Sequence, residues 1–199
     1  FINTNLSLVD AEKGVLVISK RTRRKVLVKH AYYLIKKLLG VSPSLSIDVD
    51  DSDVLKHCGF GSSSCIISSV AASINELYGN PIPALDLIKY LASNHGEEVC
   101  DSNENELKAV QSIGGGASGG LLPHGILIIA GHATPIASMD INADVLIAMP
   151  KNFQPKNAEE LMNLEDKNLW KFINTGKKYK DIIAYNLLHK ALPGMVNQD

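Results

Sequence analysis

Apolar and polar residues follow two different rhythms along this chain, and the rhythms mark its elements. Over residues 22–39, Val28, Ala31, Tyr32, Ile35, Leu38 and Leu39 recur every three or four positions. That spacing predicts an amphipathic helix with Lys29, Lys36 and Lys37 on its wet side. Thr22 stands where an N-cap is expected and Gly40 where the helix should stop. A second helix is predicted to start near Ser62, striped by Ile67, Val70, Ala71, Ile74, Leu77 and Tyr78. Its other face carries Ser68, Ser69, Ala72 and Ser73, small enough for another element to come close to the backbone. Residues 84–93 repeat the helical pattern after Pro81 and Pro83.

Residues 45–49 alternate with period two, the mark of a half-buried strand, and the β-branched run 14–19 also reads as a strand. The apolar runs 126–130 and 145–149 read as buried strands. Residues 101–111 are polar and read as helical, and residues 158–162, 167–173 and 180–192 read as helices. The order is mixed rather than a regular βαβ alternation, so the expected class is α+β.

Composition narrows the function. In 199 residues, hydrophobic side chains make up 45% and charged ones 21%, enough apolar material for an ordinary core. A net charge of -1 disfavours a nucleic-acid binder. No apolar run reaches the roughly 18–20 residues that span a bilayer. Cys58, Cys65 and Cys100 form no CxxC pair, which disfavours a zinc ribbon or a disulfide framework. With no signal peptide visible, they fit a reducing, cytoplasmic setting. Cys58 and Cys65 read as small packing residues.

Two glycine-rich stretches carry candidate chemistry. In Gly59-Phe60-Gly61-Ser62-Ser63-Ser64 the glycines let the backbone turn tightly ahead of a helix start. The first amides of that helix lack intrahelical partners and carry partial positive charge. With serine hydroxyls beside them, they suit a di- or triphosphate, and a hydroxyl such as that of Ser63 can share a magnesium ion with phosphate oxygens. A Walker A loop is absent because no Lys follows, and a dinucleotide fingerprint is absent because Ser64 stands at its third glycine. The plainer alternative is a glycine turn with a serine cap. The second stretch is Gly114 to Gly120, where Gly116 to Gly120 also fit G-x-S-x-G, with Asp140 or Asp144 and His189 in hydrolase triad order. The strand expected before such an elbow is missing from the pattern.

The loop Gly59 to Ser64 resembles the G-L-G-S-S-A phosphate loop of the GHMP kinase superfamily, which includes galactokinase, homoserine kinase and mevalonate kinase. Gly115-Gly116-Ala117-Ser118-Gly119, the run 126–130 and Ala130-Gly131-His132 are most similar to the β-ribofuranosylaminobenzene 5'-phosphate synthase group within it, as is the segment 186–199. The resemblance implies an α+β fold of the ribosomal protein S5 domain 2-like, GHMP kinase N-terminal domain type over 1–150, followed by a helical segment over 151–199 that leads into a second domain. No counterpart is found for the family's opening strand or its C-terminal glycine motif, as expected of a chain truncated at both ends.

The resemblance further implies a transferase that binds a di- or triphosphate at Gly59, Phe60, Gly61, Ser62, Ser63 and Ser64, and its substrate at Gly115, Gly116, Ser118 and Gly119. His132, Lys56 and His57 are the candidates for charge stabilisation or proton transfer. The cofactors implied are Mg2+ with ATP or phosphoribosyl diphosphate, and the partner is a small phosphorylated molecule, with neither nucleic acid nor membrane. Aligning Ala117 to Gly120 on the family's P-S-G-x-D stretch puts Leu121 at the usual aspartate, and leucine takes no proton. That favours phosphoribosyl transfer, in which the loop holds the departing diphosphate, and equally a module that has lost catalysis. An ATP-dependent small-molecule kinase and a non-catalytic phosphate-binding module are the alternatives.

Overall fold

A computed structural model describes residues 3–10, 14–52, 58–98, 107–109, 120–122, 125–140, 144–154 and 156–197. Its central sheet joins β1 (Asn3–Leu8), β2 (Leu16–Ile18) and β3 (Leu45–Asp50) in the order β1-β3-β2. β1 runs antiparallel to β3, with Asn3 opposite Asp50, and β2 runs parallel to it, with Leu16 opposite Leu45. Parallel neighbours need a crossover, and helix α1 (Lys25–Leu39) supplies it.

The period-two residues of β3 do what the alternation implies. Leu45, Ile47 and Val49 are fully buried, while Ser46, Asp48 and Asp50 are half-buried on the other face. Against the apolar face lie Leu27, Val28, Ala31, Tyr32 and Ile35 of α1 and Ile66, Ile67, Val70, Ala71 and Ile74 of α2 (Ser62–Leu77). Leu87 and Leu91 of α3 (Ala84–Ser93) close this core. Each Val, Leu or Ile among them is worth about 1.5–3 kcal/mol when fully buried, so the packing that organises the molecule is concentrated between residues 27 and 91. Gly40 ends α1 in the left-handed conformation, as its position implied.

The small face of α2 is closely approached. Ser69 Oγ shares a 2.7 Å hydrogen bond with Thr4 Oγ1 of β1. At Gly120, a Cβ would lie 2.4 Å from Ser68 Oγ.

Several elements differ from the pattern-based expectation. β1 was not foreseen, because NTNLSL offers only two large apolar residues and forms a sheet edge. Within 101–111, the described residues form strand β5 (Leu107–Ala109), not helix, paired antiparallel with β4 (Gly96–Glu98). β6 (Ile126–Ala130) is half-buried rather than buried and pairs with β7 (Thr134–Met139) through a turn at Gly131–Ala133. Residues 145–149 are not a buried strand. They have no regular structure, and Leu146 is 94% exposed. An apolar run becomes a strand only when a sheet edge accepts its backbone.

The three short helices expected after residue 157 are largely one, α4 (Ala158–Asn186), followed by a π-helical turn at Leu187–Ala191 and α5 (Leu192–Asn197). Asn157 caps α4 by accepting the Glu160 N–H at 2.8 Å. The ladder widens just before Pro193, whose missing N–H and ring would break regular α-helical bonding. No described helix is long and apolar enough to cross a membrane.

Candidate functional site

The turn into α2 is built by two glycines in the left-handed region, Gly59 at φ +80° and Gly61 at φ +64°. A side chain at either position would be strained. The turn aims the chain so that α2 starts abruptly at Ser62, with Gly61 as N-cap and no side-chain cap. The first amide to find a helical partner is that of Cys65, which donates to the Gly61 carbonyl at 2.8 Å. Among the described residues, nothing accepts from the amides of Ser62, Ser63 and Ser64. They border a cavity of about 110 Å³ lined by Cys58 to Ser64 and Glu97. Pockets for whole drug-sized ligands hold roughly 300–1,000 Å³, so this cavity has room only for a small group.

Beneath the loop lies a charged network that the hydrophobic pattern did not reveal. Arg24, 3% exposed, donates from Nη1 to Ser62 Oγ at 3.1 Å and from Nη2 to Ser63 Oγ at 2.7 Å. Nη2 also meets Glu97 Oε1 at 2.9 Å. Ser63 Oγ donates to the same carboxylate oxygen at 2.5 Å, and His95 Nε2 lies 3.4 Å from Oε2. Burial alone would raise the Glu97 carboxyl, but hydrogen bonds from His95 and Ser63 and the nearby positive charges outweigh it and bring its pKa to about 2. The carboxylate is therefore ionised across the physiological range.

Asp51, just past β3, fixes the base of Arg24. Its two carboxylate oxygens accept the backbone N–H groups of Arg23 and Arg24, each at 3.0 Å. Thr22, expected to cap α1, instead exchanges hydrogen bonds with the Val49 backbone, and Arg24 holds the N-cap position. One signal in the sequence pointed here. Arg23, Arg24 and Lys25 crowd the positive end of a helix dipole, an arrangement that calls for anionic partners.

Of the sequence-derived site residues, the structure brings Gly59, Phe60, Gly61, Ser62, Ser63 and Ser64 together around the cavity, with Phe60 half-exposed. Lys56, His57, Gly115, Gly116, Ser118 and Gly119 lie outside the described residues. His132 is placed by its backbone in the turn between β6 and β7. Leu121 packs against both apolar clusters, so an apolar contact occupies the position aligned with the family's aspartate. Cys58 and Cys65 are half-buried and form no disulfide among the described residues, and burial pushes the Cys65 thiol up, away from thiolate chemistry. For the hydrolase alternative, His189 stacks near Tyr185, and no hydrogen bond joins it to Asp140 or Asp144 among the described residues.

The serine hydroxyls are not all available as expected. Ser63 gives its proton to Glu97 and accepts from Arg24. Among the described residues, no group of three or more His, Cys, Asp or Glu side chains converges on a metal position. With its oxygen taken by Arg24 and its hydrogen directed to Glu97, the Ser63 hydroxyl as placed does not fit a magnesium ligand unless those contacts are given up.

Residues 26–106 match the GHMP kinases N terminal domain. The matched GHMP stretch contains α1 from Val26 onward, β3, the glycine-serine loop, α2, α3 and β4, so the cavity and Glu97 both fall inside it. The α+β architecture is of the GHMP N-terminal-domain type, and the C-terminal helix agrees with the helical region expected to follow. The match supports the GHMP superfamily, whose kinases act on small-molecule substrates. Gly115 to Gly119 and His132 lie beyond it. No curated protein matches the chain.

Proposed function

We propose that the protein is a GHMP-type transferase whose loop Gly59–Ser64 holds the di- or triphosphate of a small-molecule substrate. One observation carries this reading: the left-handed turn at Gly59 and Gly61 presents the three unpartnered amides of Ser62, Ser63 and Ser64 to a small cavity. Those N–H groups and the partial positive charge of α2 oppose the negative charge of phosphate oxygens without rearrangement. Ser62 adds a hydroxyl whose hydrogen has no described acceptor, because Arg24 occupies the oxygen only as a donor.

In phosphoribosyl transfer, the finer form of the proposal, charge grows on the diphosphate as its bond to the ribose carbon breaks. Donors already aimed at that charge stabilise the transition state more than the ground state. The apolar packing of Leu121 favours this chemistry over a kinase that needs a carboxylate base there. ATP-dependent phosphorylation is the second reading, supported by the match to GHMP kinases. The proposed setting is the cytoplasm.

Thermal unfolding with phosphoribosyl diphosphate, ATP or diphosphate, each with magnesium present, tests the reading, since a ligand of the native state raises the midpoint. At least one should stabilise the protein, and the folded Gly61→Ala variant should lose that response. A protein indifferent to all three would refute the phosphate loop. Stabilisation by phosphoribosyl diphosphate without ATP favours the synthase-like activity, and transfer from ATP favours the kinase.

A further inference from the structure

Ser63 sits where a hydroxyl was expected to share a divalent cation with phosphate, yet a cation of the protein's own already touches it. The Arg24 guanidinium reaches Ser62 Oγ, Ser63 Oγ and Glu97 Oε1 at 3.1, 2.7 and 2.9 Å. We infer that Arg24 stands in for a metal ion at this loop, so that the phosphate group is bound without a divalent cation ligated by Ser63. This rests on the phosphate-binding reading above and goes beyond it.

Magnesium binds oxygen at about 2.0–2.1 Å and demands near-octahedral geometry. An ion on Ser63 Oγ would therefore lie within about 5 Å of the Nη2 that already contacts that oxygen. It would meet a like charge and would need the hydroxyl to give up its present partners. Nor can Arg24 readily withdraw. It is buried, and Asp51 holds its backbone at the start of α1. Both Glu97 oxygens are occupied, one by Arg24 and Ser63, the other by His95. A fully satisfied buried network of this kind is rigid.

Arg24 also acts toward the cavity. Its Nη1 donates to Ser62 Oγ, which leaves the Ser62 O–H to serve as a donor, and hydrogen bonds in series strengthen one another. The positive charge thus reaches the ligand through a hydroxyl rather than by direct contact. Arg24 is a positioning residue, and the ligand class it favours is a metal-free phosphate ester or diphosphate.

Calorimetric titration of the wild-type protein with diphosphate, in excess magnesium and in EDTA, decides the matter. The two dissociation constants should agree within about threefold. Binding at least about tenfold tighter with magnesium would overturn the inference while leaving the phosphate loop intact. Absence of binding in both would overturn the loop itself and the inference with it. Manganese titration followed by electron paramagnetic resonance gives a reading independent of diphosphate. Wild-type protein should bind no manganese at this loop, whereas Arg24→Met, which frees Ser63 and Glu97, should gain a site. Manganese bound by the wild type and released by Glu97→Gln would count against Arg24, whether or not Arg24→Met folds.

Discussion

Arg24 and Glu97 lie 73 positions apart in the chain and 2.9 Å apart in space, with the guanidinium 3% and the carboxylate 16% exposed. They tie the start of α1 to β4 directly beneath the glycine-serine loop. Opposite charges this deeply buried are costly to remove from water, and their attraction offsets that cost only while both are present.

A double-mutant cycle should expose this coupling. Arg24→Met and Glu97→Leu should each cost about 3–5 kcal/mol, because each strands a buried charge. The double variant should cost far less than the sum, with a coupling energy of about 2 kcal/mol or more. Urea denaturation of the four proteins measures it. Additive losses would mean that the two residues do not act as a pair.

Acid should dismantle the same pair. The Glu97 pKa falls from 4.5 to about 2 on folding. A depressed carboxyl adds stability that is complete above its unfolded value and disappears as pH drops through its folded value. The window is therefore about pH 4.5 down to about pH 2, and the stake is on the order of 3 kcal/mol. The stability gap between wild type and Glu97→Gln should be wide at pH 6 and narrow progressively across that window. A gap that stays constant with pH would show that Glu97 titrates normally in the folded protein.

The close approach to α2 can be probed at Gly120. An added methyl would sit 2.4 Å from Ser68 Oγ, which now donates to the Cys65 carbonyl at 3.2 Å. Turning the hydroxyl away relieves the clash but gives up that bond, so Gly120→Ala should cost about 1 kcal/mol. In a Ser68→Ala background the same substitution should cost little, because the obstructing oxygen is gone. Chemical denaturation of the three variants tests this, and an equal penalty in both backgrounds would place the strain elsewhere.

Local periodicity was enough to identify α1, α3, the body of α2 and the inward face of β3. Those elements bury a repeating stripe, and burial of that stripe is what makes them form. The abrupt entry to α2 was also legible, since Gly59 and Gly61 adopt the left-handed backbone that glycine tolerates best. Edge strands β1, β4 and β5 left no such trace. β1 carries only two large apolar residues, β4 and β5 are three residues each, and all three exist because a neighbouring backbone offers hydrogen bonds.

The amino-acid order by itself determined where the chain would turn, which helix faces would be apolar, and that a row of free amides would stand behind Gly61. Only the tertiary structure decided what lies behind those amides. Asp51 took the amides of Arg23 and Arg24 just ahead of α1, and Arg24 met Glu97, because long-range packing brought separate elements to one place. Side-chain pairing at such range leaves no period in the sequence. Arg24 shows up beforehand only as a positive charge at the wrong end of a helix, and the fold supplies the anions that make that placement stable.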